Sequence, residues 1–194
     1  MPATYGDLEK RQQIVETAYR LFRRGGFHAT GIDRIIAEAN VAKMTMYRHF
    51  PSKEGLIVEV LAWRARRFER QLDRLAERGG SVERRIVGIL DWYDRWFRSP
   101  DFHGCLFAHA LAEYADPAHA VFKAAAEQKA SLKRRLHAIL EERTAADRAA
   151  STASALLMMI EGATLLAQAG QGERAIEDVR RAALSLLAAP AAPQ

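Results

Sequence analysis

Apolar residues recur at one-face helical spacing from near the start of the chain: Ile14, Ala18, Leu21 and Phe22 predict a first helix over about 8–24, closed by Gly25-Gly26. Two short helices follow, over about 32–39, with Ile32, Ile35 and Ile36 inward and Thr30 as N-cap, and over 43–49, with Met46 and Phe50 inward. Asn40 between them tolerates left-handed backbone, which completes a helix-turn-helix outline. A fourth helix of about 25 residues starts behind Ser52 as cap, carries Leu56, Val60, Phe68, Leu72 and Leu75, and stops at Gly79-Gly80. Further helices are predicted over 82–97, 102–114, 117–142, 145–168 and 173–188, broken at Ser99-Pro100, Asp116-Pro117, Thr144 and Gly170-Gln171-Gly172. The expectation is an all-α protein of about nine helices: a three-helix helix-turn-helix head over 1–53, a larger helical body over 54–189 and a disordered tail over 190–194.

Composition agrees with helices. Apolar residues make up 49% of the 194, while Gly (12) and Pro (6) are sparse. The net charge of +5 is uneven, since residues 1–53 hold 9 Lys/Arg against 5 Asp/Glu, and the remainder is nearly balanced. A basic head suits a polyanion, because neutralising phosphates releases counterions. The single cysteine, Cys105, forms no intrachain disulfide, and the N-terminus lacks the apolar core of a signal peptide, so a cytoplasmic protein is expected. The longest purely apolar run, Ala155 to Ile160, is far below the roughly 18 residues of a membrane span, and no membrane partner is expected.

The candidate chemistry of the head lies on its third helix. With Met46 and Phe50 inward, Met44/Arg48 and Thr45/His49 form two i,i+4 pairs on the opposite side, flanked by Lys43 and Tyr47. Cations, a hydroxyl, an imidazole and an apolar group together suit phosphates and base edges in a major groove; an ordinary polar helix face reads the same way. The run from Thr30 through Lys43-Met44-Thr45-Met46-Tyr47-Arg48-His49-Phe50-Pro51-Ser52-Lys53 to Leu56 resembles the DNA-binding signature of the TetR (tetracycline-repressor) family, and with the first helix the likeness covers roughly residues 10–60. The resemblance implies that Thr30, Tyr47, His49 and Lys53 hold phosphates and that Lys43, Met44 and Thr45 lie nearest the bases. Asn40, Ala42 and Met44 depart from the common pattern, and Ala42 removes a frequent helix cap.

In the body, the predicted fifth helix carries apolar residues on two faces, Ile86, Leu90, Tyr93 and Phe97 on one and Ile89, Trp92 and Trp96 on the other. Phe107 and Tyr114 from the sixth helix and Leu156 to Ile160 from the eighth, Met158 among them, add to an aromatic- and Met-rich interior that reads either as packed core or as a pocket. Glu161 is a carboxylate inside an apolar helix. The family resemblance implies that this body binds a small-molecule effector, with Trp92, Trp96, Phe107, Tyr114, Met158 and Glu161 as the candidate lining. It also implies that the last two helices pair with their symmetry mates through Ala153, Leu157, Ile160, Thr164, Val179, Ala182, Ala183 and Leu186, giving a homodimer whose two heads read a palindromic operator in double-stranded DNA. The stretch Gly104 to Pro117 resembles one found in a subset of such bodies.

The functional expectation is therefore a ligand-responsive transcriptional repressor, released from DNA by its effector. An alternative places induction at Cys105, as a redox or electrophile sensor activated by His103, His109 and a helix N-terminus. An all-α enzyme is the alternative of another class, but no nucleophile–base spacing, paired carboxylates, Gly-rich phosphate loop or zinc motif is present, and neither cofactor nor metal is expected.

Overall fold

The computed structural model describes residues 5–76 and 79–188, and the tail expected to be disordered lies outside them. Among the described residues the chain forms nine α-helices: α1 (Tyr5–Gly25), α2 (Ile32–Glu38), α3 (Lys43–His49), α4 (Lys53–Ala76), α5 (Val82–Phe97), α6 (Leu106–Glu113), α7 (Ala120–Glu141), α8 (Ala146–Leu166) and α9 (Gly172–Ala188). A π turn, Ala167–Gln171, joins the last two, with Gly170 at φ 83° as the residue that breaks the helix. By compactness the chain forms two units, one running to Arg67 and taking in Leu106–Glu127, the other made of Phe68–Cys105 and the described chain from Gln128.

The first unit is built on the helix-turn-helix. Ile14, Ala18 and Phe22 of α1 are fully buried with Ile35 of α2, Met46 of α3 and Leu56 of α4, while Ile32 and Ile36, also expected inward, are half-buried. The turn closes α2 as a Schellman motif: Asn40 sits at φ 49°, its N–H reaches Ala37 O, and Val41 N–H reaches Ile36 O. Gln13 Nε2 donates to Ala39 O at 2.8 Å and ties α1 to the same corner. Ser52 caps α4, its hydroxyl accepting Gly55 N–H at 3.0 Å. The N-cap of α2 is Gly31 without a side-chain bond, not Thr30 as expected. Thr30 is buried and its hydroxyl donates inward to Gly26 O at 2.7 Å.

The second unit has its own core, in which Ile86, Leu90, Leu132, Leu136, Leu156 and Ile160 are almost completely buried. Helices α5 and α8 both pack on α9. Gly172 sits at a close approach at the start of α9, where a Cβ would lie 3.1 Å from that of Ala167 and 3.3 Å from that of Phe97. By length and composition the stretch Ala146–Ala188 alone would suffice to cross a membrane. It is bent at Gly170, and its inward face (Ala153, Leu156, Ile160, Ala163, Ile176, Ala183) forms part of this core.

Two predicted helices begin later than expected. α6 starts at Leu106, not 102, because Gly104 adopts φ 80°; Phe102 then packs on Trp96 and Phe97, with ring centroids 4.9 and 5.3 Å away. Cys105 consequently stands directly before the first helical residue. α7 starts at Ala120, not Pro117, because Asp116 Oδ1 accepts Ala118 N–H at 2.8 Å and holds 116–119 as a turn.

Candidate nucleic-acid interface

The outer face of α3 is built by burying the other one. Met46 and Phe50 are locked in the core of the first unit, and Met44 (81% exposed), Thr45, Tyr47 and Arg48 surround a recess of about 410 Å³. Ala42 stands at the N-cap of α3 with no side-chain bond, so the first turn presents free backbone donors. Lys43 is well exposed, its Nζ 3.6 Å from Asp33 Oδ1. Arg48 is also exposed and donates from Nη2 to Asp7 Oδ1 at the start of α1. Lys53 Nζ donates to His28 O at 3.2 Å.

Two residues of the expected set face inward. The Thr30 hydroxyl is engaged with Gly26 O, as described. The His49 side chain is only 9% exposed, its Nε2 3.3 Å from Asp7 Oδ1 without hydrogen-bond alignment, because α3 turns position 49 toward α1. Lys43, Met44, Thr45, Tyr47 and Arg48 thus share the outer surface. Asp7 was missed; an acidic residue in the first turn of a helix is ordinarily read as a dipole partner, and nothing local predicts its contact 41 positions away.

A second feature of this unit was also illegible. Glu113, at the end of α6, accepts the backbone N–H groups of Phe27 and His28 at 2.9 and 2.7 Å. Gly26, at φ 79°, makes room for it: a Cβ there would lie 2.9 Å from Glu113 Oε1. His28 stacks on Tyr114 at 4.8 Å, and Tyr114 lies 4.7 Å from His119. Burial, with Glu54 and Glu113 nearby, pushes the Tyr114 phenol above its ordinary pKa. Tyr114 and the buried Phe107 therefore belong to the first unit.

The other candidate lining residues belong to the second. Trp92 and Trp96 stack at 5.6 Å in a half-buried aromatic array with Phe68 and Phe102. Glu161 is paired: both its oxygens accept from Lys129 Nζ, at 2.7 and 2.8 Å, and the same ammonium lies 3.2 Å from Cys105 Sγ. Burial works to lower the Lys129 pKa, but the contacts to Cys105 and Glu161 outweigh it and leave the group above the usual lysine value. Lys129 was not foreseen because it sits in a charged stretch of α7 that reads as solvated surface. Met158 is 68% exposed, two positions from the buried Leu156 and hence on the opposite side of α8.

Residues 14–60 match the model of the bacterial regulatory proteins of the tetR family, and residues 84–182 that of the LmrA/YxaF-like transcriptional regulator C-terminal domain. Among curated relatives, the transcriptional repressor KstR of Mycolicibacterium smegmatis is 33% identical over 78 residues, 40% of this chain and 38% of that protein. The transcriptional regulator LmrA of Bacillus subtilis is 41% identical over 59 residues, 30% of each chain. These matches span well under half the length of either relative. A solved TetR-family transcriptional regulator from Streptomyces coelicolor, SCO4454, superposes with a TM-score of 0.87 at 30% identity, covering 93% of this chain and 95% of that one. The reduced form of NemR from E. coli has the same fold, with a TM-score of 0.85 at 22% identity over 95% of this chain and all of that one.

Proposed function

The chain belongs to the TetR family of transcriptional regulators, and from that premise we propose that it is a homodimeric repressor that leaves a palindromic operator when a small molecule binds its second unit. The observation that carries the reading is the outer face of α3, where Met44, Thr45, Tyr47 and Arg48 surround a recess and Lys43 stands exposed at the start of the helix. That mixture offers cations to the polyanion, and Thr45 and Met44 to base edges. The test is anisotropy with a duplex selected from random DNA, across a salt series. A steep fall of affinity with salt is expected, with about 1–3 kcal/mol lost in Thr45→Ala or Lys43→Ala. A flat salt dependence, or unchanged affinity in both variants, overturns it.

The exposed apolar residues of the last two helices, Met158, Leu165, Leu166, Leu184 and Leu186, support the dimer seam. Most residues expected there are engaged within the protomer: Ala153, Ile160, Thr164, Val179 and Ala183 are buried and Leu157 packs against the core, so the seam proposed here uses the exposed residues instead. Two such protomers would present their heads about 34–36 Å apart, one turn of DNA. For the effector, the Trp92–Trp96 stack offers an aromatic wall, and Gln128 Oε1, buried without a hydrogen-bond partner, offers an acceptor that a ligand donor can satisfy. Quenching of tryptophan fluorescence in a small-molecule screen, with loss of DNA binding by the same compound, is the expected result.

Lys129 favours a second mode of induction, because it places a cation 3.2 Å from the Cys105 sulfur. In this mode the Cys105 thiolate adds to the β-carbon of an α,β-unsaturated carbonyl compound and the α-carbon takes up a proton from water. Release of DNA by such a compound in the parent, abolished in Cys105→Ser, supports it; equal release in both excludes it.

A further inference from the structure

We infer that Asp7 is a specificity-determining residue of the DNA-binding head, acting by holding Arg48 of α3 so that this arginine is denied to phosphates and kept in one orientation for a base. The inference rests on the reading of α3 as the DNA-contacting helix.

The geometry is local and lies within one unit. Asp7, in the first turn of α1, is about three-quarters buried, while Arg48 is 61% exposed, so the carboxylate is the fixed partner and the guanidinium the projecting one. Asp7 engages Arg48 through Nη2. A guanidinium has five N–H donors in a rigid plane, so one occupied edge leaves others directed outward, and Arg48 lines the recess bordered by Met44, Thr45 and Tyr47. An arginine pinned in this way loses little rotamer freedom when it donates to the acceptor pair of a guanine. On DNA that lacks the matching base, the same arginine must leave Asp7 to neutralise a phosphate, and the carboxylate left behind repels the duplex. Exposed ion pairs are weak for stability, but their effect here is on the difference between two kinds of DNA, which both consequences push in one direction. The other cation of α3, Lys43, also lies near a carboxylate, 3.6 Å from the exposed Asp33, so a head that is basic overall keeps its recognition helix locally compensated.

The test compares the full-length parent, Asp7→Asn, Arg48→Gln and the double variant on an operator duplex selected from random DNA and on a scrambled duplex, each over a salt series. Circular dichroism melting confirms that all four are folded. Asp7→Asn is expected to bind the scrambled duplex several-fold more tightly, with a salt slope steeper by about one, because Arg48 becomes available to a phosphate. Its preference for operator over scrambled DNA should fall by about tenfold, and the double variant should behave as Arg48→Gln. Two results overturn the inference: an unchanged preference in Asp7→Asn, or an effect of Asp7→Asn that persists undiminished without Arg48, which would mark it as long-range repulsion. If the parent shows no salt-dependent DNA binding, the reading of α3 itself fails, and this is seen before any variant is compared.

Discussion

Glu113 holds His28 at two points: its Oε2 accepts the His28 backbone N–H at 2.7 Å, and its carbonyl oxygen lies 3.0 Å from His28 Nε2. With the bond to Phe27, a carboxylate at the end of α6 organises the loop that leads into α2, while Lys53 at the start of α4 grips the same loop through His28 O. The entry to the helix-turn-helix is thus fixed by a residue remote in sequence.

Replacing Glu113 by Ala leaves two backbone donors without their acceptor. Hydrogen bonds to charged groups contribute about 1.5–3 kcal/mol each, and the partial exposure of this site reduces their sum, so we expect a loss of about 2 kcal/mol in urea unfolding with weaker operator binding. Glu113→Gln, which keeps an acceptor, should fall between. Unchanged unfolding in both variants would remove the clamp from the account.

Gly26→Ala should cost about 1–2 kcal/mol from the left-handed backbone alone, and more from the carboxylate 2.9 Å away. In the Glu113→Ala background the steric part vanishes. A double-mutant cycle should therefore show coupling of at least about 0.5 kcal/mol, read from chemical denaturation; strict additivity would contradict the close approach.

Lys129 and Glu161 are 17% and 30% exposed and paired to each other. Breaking a fully buried pair costs about 3–5 kcal/mol, and the residual exposure places Lys129→Met or Glu161→Gln nearer 2. The double replacement should lose less than the sum of the two, as measured by thermal unfolding, since neither charge is then left alone.

Glu59 provides a pH test. Burial alone would raise its pKa, but hydrogen bonds and attraction from Arg11 and Arg66 hold it below the ordinary 4.5. A depressed folded value means that its contribution is complete above the unfolded value and disappears as pH falls below about 4.5 through the folded one. The melting temperature of the parent should drop more steeply than that of Glu59→Gln across this acid range.

The apolar residues on α8 and α9 allow the proposed seam to be tested apart from the core. Leu165→Glu, at a position 69% exposed, should leave the protomer folded and abolish the dimer in light scattering, with DNA binding falling alongside. Leu157→Glu, packed against the core, should instead lower the melting temperature by many degrees.

Helix identity was legible because periodicity is a local property: the inward residues of α1 and α3 were read correctly, and α3 and α5 begin and end where the pattern placed them. The TetR-type head was equally legible, since its signature is one continuous run of side chains. The late start of α6 was not, because Gly104 reads as an ordinary breaker until its positive φ is seen. Nor was the rotation of α8, where nearly every position between Ala155 and Ile160 is apolar and periodicity cannot choose a face. Asp7, Glu113 and Lys129 were missed for another reason. Their partners lie 41, 85 and 32 positions away, and no spacing rule reaches that far.

The clamp of Glu113 on residues 26–28 also bears on how such a chain is recombined. The unit that holds the helix-turn-helix is discontinuous, since its loop is inherited from the N-terminal stretch and its brace from α6. A single crossover near residue 53 would set the loop of one parent against position 113 of another, where any side chain without a carboxylate leaves the Phe27 and His28 donors unanswered. A graft that transfers the chain to Arg67 together with Leu106–Glu127 keeps both halves of the contract, and lineages that exchange heads by one cut should carry compensating changes at positions 26 and 113.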